Sequence, residues 1–139
     1  MSDERPLSRR TLLHVTGAGA GALTLAACGG GGDDLPQVAD GGGGTVLAQL
    51  SDVPVGSALS LELDGRPVLV AQPTAGTVVG FDAECPHQGC RVRAGEGLLQ
   101  CPCHGSEFDV ATGAVITGPA DEPLTPLDVV LVDGRVELA

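Results

Sequence analysis

The sequence predicts an antiparallel all-β domain behind an N-terminal leader and a tether, and three observations carry that expectation. Leu59, Leu61 and Leu63 alternate with Ser60, Glu62 and Asp64 at the two-residue period of a half-buried strand. Two Asp-Gly pairs, Asp64-Gly65 and Asp133-Gly134, each sit between apolar runs as hairpin turns do. No stretch after Thr45 has the apolar periodicity of a helix, so the region from 45 to 139 is expected to hold about eight to ten short strands.

In chain order, the first 28 residues have the character of a targeting segment. Ser8-Arg9-Arg10-Thr11-Leu12-Leu13 is a twin-arginine pattern followed by a Gly- and Ala-rich apolar run. That run is too short and too weakly apolar for a stable membrane span. It closes on Leu25-Ala26-Ala27-Cys28, which resembles the bacterial lipobox and would make Cys28 a lipidated N-terminus. A twin-arginine leader implies export of a protein already folded around a cofactor. His14 lies inside the leader and receives no function.

Residues 29–44 are a Gly- and Asp-rich stretch without apolar periodicity, expected to act as a flexible linker spanning roughly 20–25 Å. Beyond it, Arg66–Gln72 is expected to pair with the Leu59–Leu63 strand across Asp64-Gly65. Thr77–Asp82 supplies another strand, and Leu127–Val132 with Arg135–Leu138 forms a closing hairpin. Phe81 and Phe108 are the only aromatic rings besides histidine, so the core must be built from Val, Leu and Ala. The chain has no lysine and a formal charge of −11, which argues against nucleic acid or an anionic lipid surface and favours neutral or basic partners.

The chemistry is concentrated in two segments, Cys85-Pro86-His87-Gln88-Gly89-Cys90 and Cys101-Pro102-Cys103-His104-Gly105-Ser106-Glu107-Phe108-Asp109. Apart from Cys28 and His14, every cysteine and histidine of the chain falls here. A buried thiol or a satisfied histidine explains one such residue, but not six within twenty positions. Haem attachment needs C-x-x-C-H, whereas residues 101–104 give C-x-C-H, and Met1 is the only methionine available as an axial ligand. Blue copper suffers from the same missing methionine. A structural zinc site of two Cys and two His is chemically reasonable but leaves two thiols unexplained, whereas a two-iron cluster with mixed ligation accounts for all six residues. Spacing alone does not choose Cys101 over Cys103 as a ligand.

These residues, C-x-H-x-G-C and, after thirteen residues beyond His87, C-P-C-H-G-S-x-F-D, resemble the Rieske iron–sulfur family. The resemblance implies an antiparallel β-sandwich with a small cluster-binding subdomain, and a 2Fe-2S cluster. Carried over by position, it makes Cys85 and Cys101 ligands of one iron and His87 and His104 ligands of the other. It makes Cys90 and Cys103 a disulfide joining the loops 85–90 and 101–109, which suits an oxidising compartment. Ser106 matches the family serine that donates a hydrogen bond to the cluster. Phe108 stands where many quinol-oxidising relatives have a tyrosine, and it has no hydroxyl to donate. Gly118-Pro119-Ala120 resembles the proline loop that covers the cluster, although Gly-Pro is also an ordinary turn.

With two ferric ions, two sulfides, two thiolates and two neutral imidazoles the oxidised centre is formally neutral, so its potential is expected above that of four-cysteine ferredoxins. The resemblance implies an electron-transfer subunit or partner of a quinol–cytochrome c type oxidoreductase, with a cytochrome, and with quinol and cytochrome b, as partners. The alternative is an independent carrier or small subunit of another exported oxidoreductase, of the arsenite-oxidase kind. An oxygenase subunit is set aside because, apart from His14 in the leader, no further histidine exists for a mononuclear iron. Arg91 and Arg93 could help docking, though solvated strand positions are the plainer reading.

Overall fold

A computed structural model describes residues 44–139. The expected leader, the lipobox Cys28 and the linker up to residue 43 lie outside these residues. Among the described residues no helix is long and apolar enough to cross a membrane.

The domain is all-β and antiparallel. Its first element, β1 (Val46–Gln49), leads through a 3₁₀ turn (Leu50–Asp52) to β2 (Ser57–Leu63), β3 (Arg66–Thr74) and β4 (Thr77–Asp82). A smaller group follows: β5 (Arg93–Ala94), β6 (Leu98–Gln100), β7 (Glu107–Asp109) and β8 (Val115–Thr117). The chain then returns through β9 (Pro126–Leu127), β10 (Val129–Val132) and β11 (Arg135–Leu138). Eleven strands exceed the expected eight to ten because β5 and β9 are two-residue ladders, too short to leave an alternation in the sequence.

Three sheets result, in the orders β1-β11-β10, β2-β3-β4-β9 and β5-β6-β7-β8. The middle one is the shared wall. Val68 and Val70 of β3 join Leu47, Val53, Leu61 and Val136 in one apolar cluster, while Leu69 and Ala71 join Phe81, Val92, Leu99, Phe108 and Leu124 in another. Successive strand residues point to opposite faces, so β3 is covered on both, and Val68 through Gln72 are all buried. Two-sided cover also explains why β2 lacks the polar face its alternation predicts: Ala58 is buried on one side and Leu61 on the other.

Both Asp-Gly pairs form the expected hairpin turns, with positive φ at Asp64 (49°), Gly65 (78°), Asp133 (48°) and Gly134 (77°), the type I′ pattern that matches strand twist. The expected single strand Leu127–Val132 is instead two. Leu127 pairs with Gly80 in the middle sheet, and from Val129 the chain pairs with β11 in the outer one, so the strand changes sheets at Asp128. Gly80 permits this crossing: a Cβ there would stand 2.6 Å from the Leu127 carbonyl oxygen and 2.8 Å from Val129 Cγ1. We therefore expect Gly80→Ala to destabilise the domain by about 1–3 kcal/mol through overpacking, seen as a lower urea midpoint with an unchanged slope.

Candidate metal centre

The two Cys/His segments fold into turns of the same build. In the first, the Cys85 N–H donates to the Cys90 carbonyl (2.8 Å) and the Gly89 N–H to the Cys85 carbonyl (2.8 Å). In the second, the Cys101 N–H donates to Ser106 (2.8 Å) and the Gly105 N–H to Cys101 (3.0 Å). Each turn needs a left-handed residue at its fifth position, and Gly89 (φ 71°) and Gly105 (φ 80°) supply it. The shared pattern C-P-x-x-G-x is thus a backbone requirement as well as a set of ligands.

The turns present their side chains at two depths. Cys85 and Cys101 are buried in the cluster that holds Leu69, Val92 and Phe108, and both are free thiols. His87 is half-buried and His104 exposed, with ring centroids 4.8 Å apart and planes at 90°. Cys90 and Cys103 form a disulfide between the turns, Cα–Cα 6.4 Å, as the resemblance implied. The sulfurs of Cys90, Cys101 and Cys103 lie within 4.8 Å of one another, but two of them are bonded together, which leaves Cys101 with Cys85 as the available thiol donors. Of the two cysteines that spacing left undistinguished, Cys103 is in the disulfide and Cys101 is a free thiol.

Burial pushes the Cys101 thiol above its ordinary value of 9.0, and the hydrogen bond and charge of the Cys85 thiol act in the same direction. The backbone N–H groups of Cys103 and His104 bond to the Cys101 sulfur and oppose the rise. Those amides are placed to stabilise a thiolate once a metal displaces the proton.

Ser106 is fully buried, and its Oγ accepts the Ala120 N–H at 3.0 Å. As a hydroxyl it is also a donor. Gly118-Pro119-Ala120 therefore lies against the second turn, with a cis bond between Gly118 and Pro119 and Ala120 buried beside Cys85 and Cys101. Further along, Glu122, Pro123 and Thr125 line a 380 Å³ cavity together with Cys85, Pro86 and Gly89 of the first turn. Phe108 is wholly buried on β7. Arg91 faces Glu62 of β2 at 3.7 Å, which ties the small sheet to the middle one. Ser57 adds a second tie, its Oγ donating to the Gly95 carbonyl at 2.8 Å.

Two buried thiols beside two surface imidazoles, on paired turns of a small β-domain, define a metal-centre protein with mixed sulfur and nitrogen ligation. The model of the Rieske [2Fe-2S] domain matches residues 44–129, and the chain belongs to that family. Its centre is a 2Fe-2S cluster, and the donor set fits it: the thiols and imidazoles are the side chains that could hold the two irons.

Among curated relatives, the cytochrome b6-f complex iron-sulfur subunit of Synechococcus elongatus is 45% identical over 62 residues, covering 43% of this chain and 34% of the relative. The cytochrome b6-f complex iron-sulfur subunit 1 of Nostoc sp. is 46% identical over 66 residues, covering 45% and 36%. The chain thus spans about a third of these relatives. The plasma membrane Rieske protein PetC3 of Synechocystis PCC 6803 superposes with a TM-score of 0.59 at 26% identity, covering 68% of this chain and 97% of that one.

Asp109 closes the C-P-C-H-G-S-x-F-D run without an expected role, and its carboxylate accepts N–H bonds from Ala111 (3.0 Å) and Thr112 (2.8 Å). The Asp-x-x-Thr-Gly run from 109 to 113 was the available signal.

The disulfide closes a 13-residue separation, for which loop entropy gives roughly 3 kcal/mol. Replacing Cys90 and Cys103 together by serine is expected to lower the guanidinium unfolding midpoint accordingly, and iron should be released at a lower denaturant concentration than in the parent.

Proposed function

We propose that the chain is a one-electron carrier of an exported, membrane-associated respiratory system, acting as the iron-sulfur subunit or partner of a quinol–cytochrome c type oxidoreductase. The observation that carries the reading is the two-depth arrangement of the site: buried Cys85 and Cys101, with His87 and exposed His104 towards solvent. In this reading Cys85 and Cys101 hold one iron and His87 and His104 the other. The bound cluster supplies reversible one-electron chemistry at a potential raised by its two neutral ligands. The protein's part is to keep water from the thiolates, to pin the turns by Cys90–Cys103, and to donate the Ser106 hydroxyl proton to the cluster. Half-buried His87 and exposed His104 offer imidazole nitrogens as hydrogen-bonding groups, which would suit contact with a quinol.

The relatives that are cytochrome b6-f subunits support this circuit, with cytochrome b and a c-type haem protein as partners. Residues 1–28 would direct export, Cys28 would carry the lipid, and residues 29–44 would tether the domain to the outer face of the membrane. A second reading, an independent carrier or small subunit of another exported oxidoreductase, is favoured by the near-complete coverage of the plasma membrane protein PetC3. Co-purification of a dihaem cytochrome b with the tagged chain would decide for the first reading.

Absorption and EPR spectra of the purified protein test the assignment at its root. A coloured protein with the EPR signal of a mixed-ligand 2Fe-2S cluster is expected, and His104→Gln should remove that signal. A colourless, silent preparation with stoichiometric zinc overturns it. Phe108→Tyr is expected to raise the midpoint potential, because it would introduce a hydroxyl beside the buried sulfurs. An unchanged midpoint would remove Phe108 from the account of the potential.

A further inference from the structure

A third turn of the cluster-turn build follows directly after β7. The Asp109 N–H donates to the Ala114 carbonyl (2.8 Å), and the Gly113 N–H to the Asp109 carbonyl (2.8 Å). Gly113, at the fifth position, has the same left-handed φ (69°) as Gly89 and Gly105. In the second cluster turn, the amides two and three residues after Cys101 bond to its sulfur. In the third turn, the amides two and three residues after Asp109, those of Ala111 and Thr112, bond to its Oδ1 instead. The Thr112 hydroxyl adds a bond to the same oxygen at 2.9 Å. Asp109 therefore supplies with a carboxylate the anion that the second cluster turn would supply with the Cys101 thiolate.

The third turn is joined to the cover of the metal centre. The Gly113 carbonyl accepts the Leu124 N–H at 2.9 Å, and Leu124 is buried in the same apolar cluster as Cys85 and Cys101. Gly113 itself is wedged in place, since a Cβ on it would stand 2.7 Å from Phe81 Cε1 and 3.3 Å from Leu124 Cβ. The segment 118–125 is thus held by Ala120 on Ser106, by Leu124 on Gly113 and by the Asp82 N–H on the Thr125 carbonyl (2.8 Å). Of these three attachments, the one at Gly113 depends on a turn whose anion is a single side chain.

We propose that Asp109 is a positioning residue for the cluster. Its carboxylate fixes the third turn, the turn holds segment 118–125 through Gly113 and Leu124, and that segment keeps Ala120 on Ser106 so that the serine proton is directed at the cluster. The proposal rests on the ligand assignment above and extends it to a residue that touches no ligand side chain. Asn in place of Asp109 keeps an oxygen that can accept the same two amides; Ala does not.

The test uses the full chain with its cluster loaded, comparing the parent with Asp109→Ala and Asp109→Asn. Asp109→Ala is expected to lower the midpoint potential and to speed amide exchange at Leu124 and Ala120 about tenfold, with Asp109→Asn restoring most of both. A loaded Asp109→Ala protein with unchanged midpoint and unchanged exchange overturns the proposal. If Asp109→Ala does not retain iron, Thr112→Val, which removes one of the three bonds to Oδ1, decides: smaller shifts of the same sign support the proposal, and none overturns it. If the parent itself shows no mixed-ligand EPR signal, the ligand assignment fails separately. Exchange at Leu124 in the iron-free chains then judges the hold of Asp109 on the segment.

Discussion

The structure around the metal centre depends on one backbone device, a six-residue turn closed by two crossed hydrogen bonds and a left-handed glycine. In the turns at 101 and 109 the device gathers N–H groups around the side chain of its first residue. Gathered amides at the edge of a low-dielectric interior attract negative charge and penalise its absence. That single preference suits Cys at the first position of the turn at 101 and Asp at that of the turn at 109. It also helps Cys101 to be buried: a thiolate there would be met by backbone dipoles.

The three-sheet architecture serves the same end. β3, buried on both faces, gives the small sheet a wall that already belongs to a second apolar cluster, so the cluster turns rest on residues fixed from behind. Arg91 to Glu62 and Ser57 to Gly95 tie the small sheet to that wall by polar contacts at its rim. With only Phe81 and Phe108 as large rings, close packing comes from aliphatic residues and from glycines such as Gly80 and Gly113, where backbone or ring stands in the space of a Cβ.

Much of this was legible in the sequence. The Leu59–Leu63 alternation and the Asp-Gly pairs located β2, β3 and the closing hairpin, because period and turn chemistry are local properties. The cysteines and histidines announced a metal centre, because six such residues in twenty positions have no packing explanation. The change of sheet at Asp128 was not legible: it arises from the contact of Gly80 with Leu127, residues far apart in sequence. Nor did spacing say which of Cys101 and Cys103 stays a free thiol, which follows from the pairing of Cys90 with Cys103 across the two turns. The third turn stayed hidden for a different reason: its likeness to the others lies in hydrogen bonds, and Asp109 is not a residue type that prompts a search for thiolate geometry.

The described chain begins in the outer sheet, where Val46 pairs with Glu137, on the face of β3 opposite the Cys/His turns. The start of the described chain and the Cys/His turns therefore pack against opposite faces of one strand, with His104 exposed. A strand buried on both faces thus separates the start of the described chain from the Cys/His turns, so changes at the one need not disturb the packing of the other.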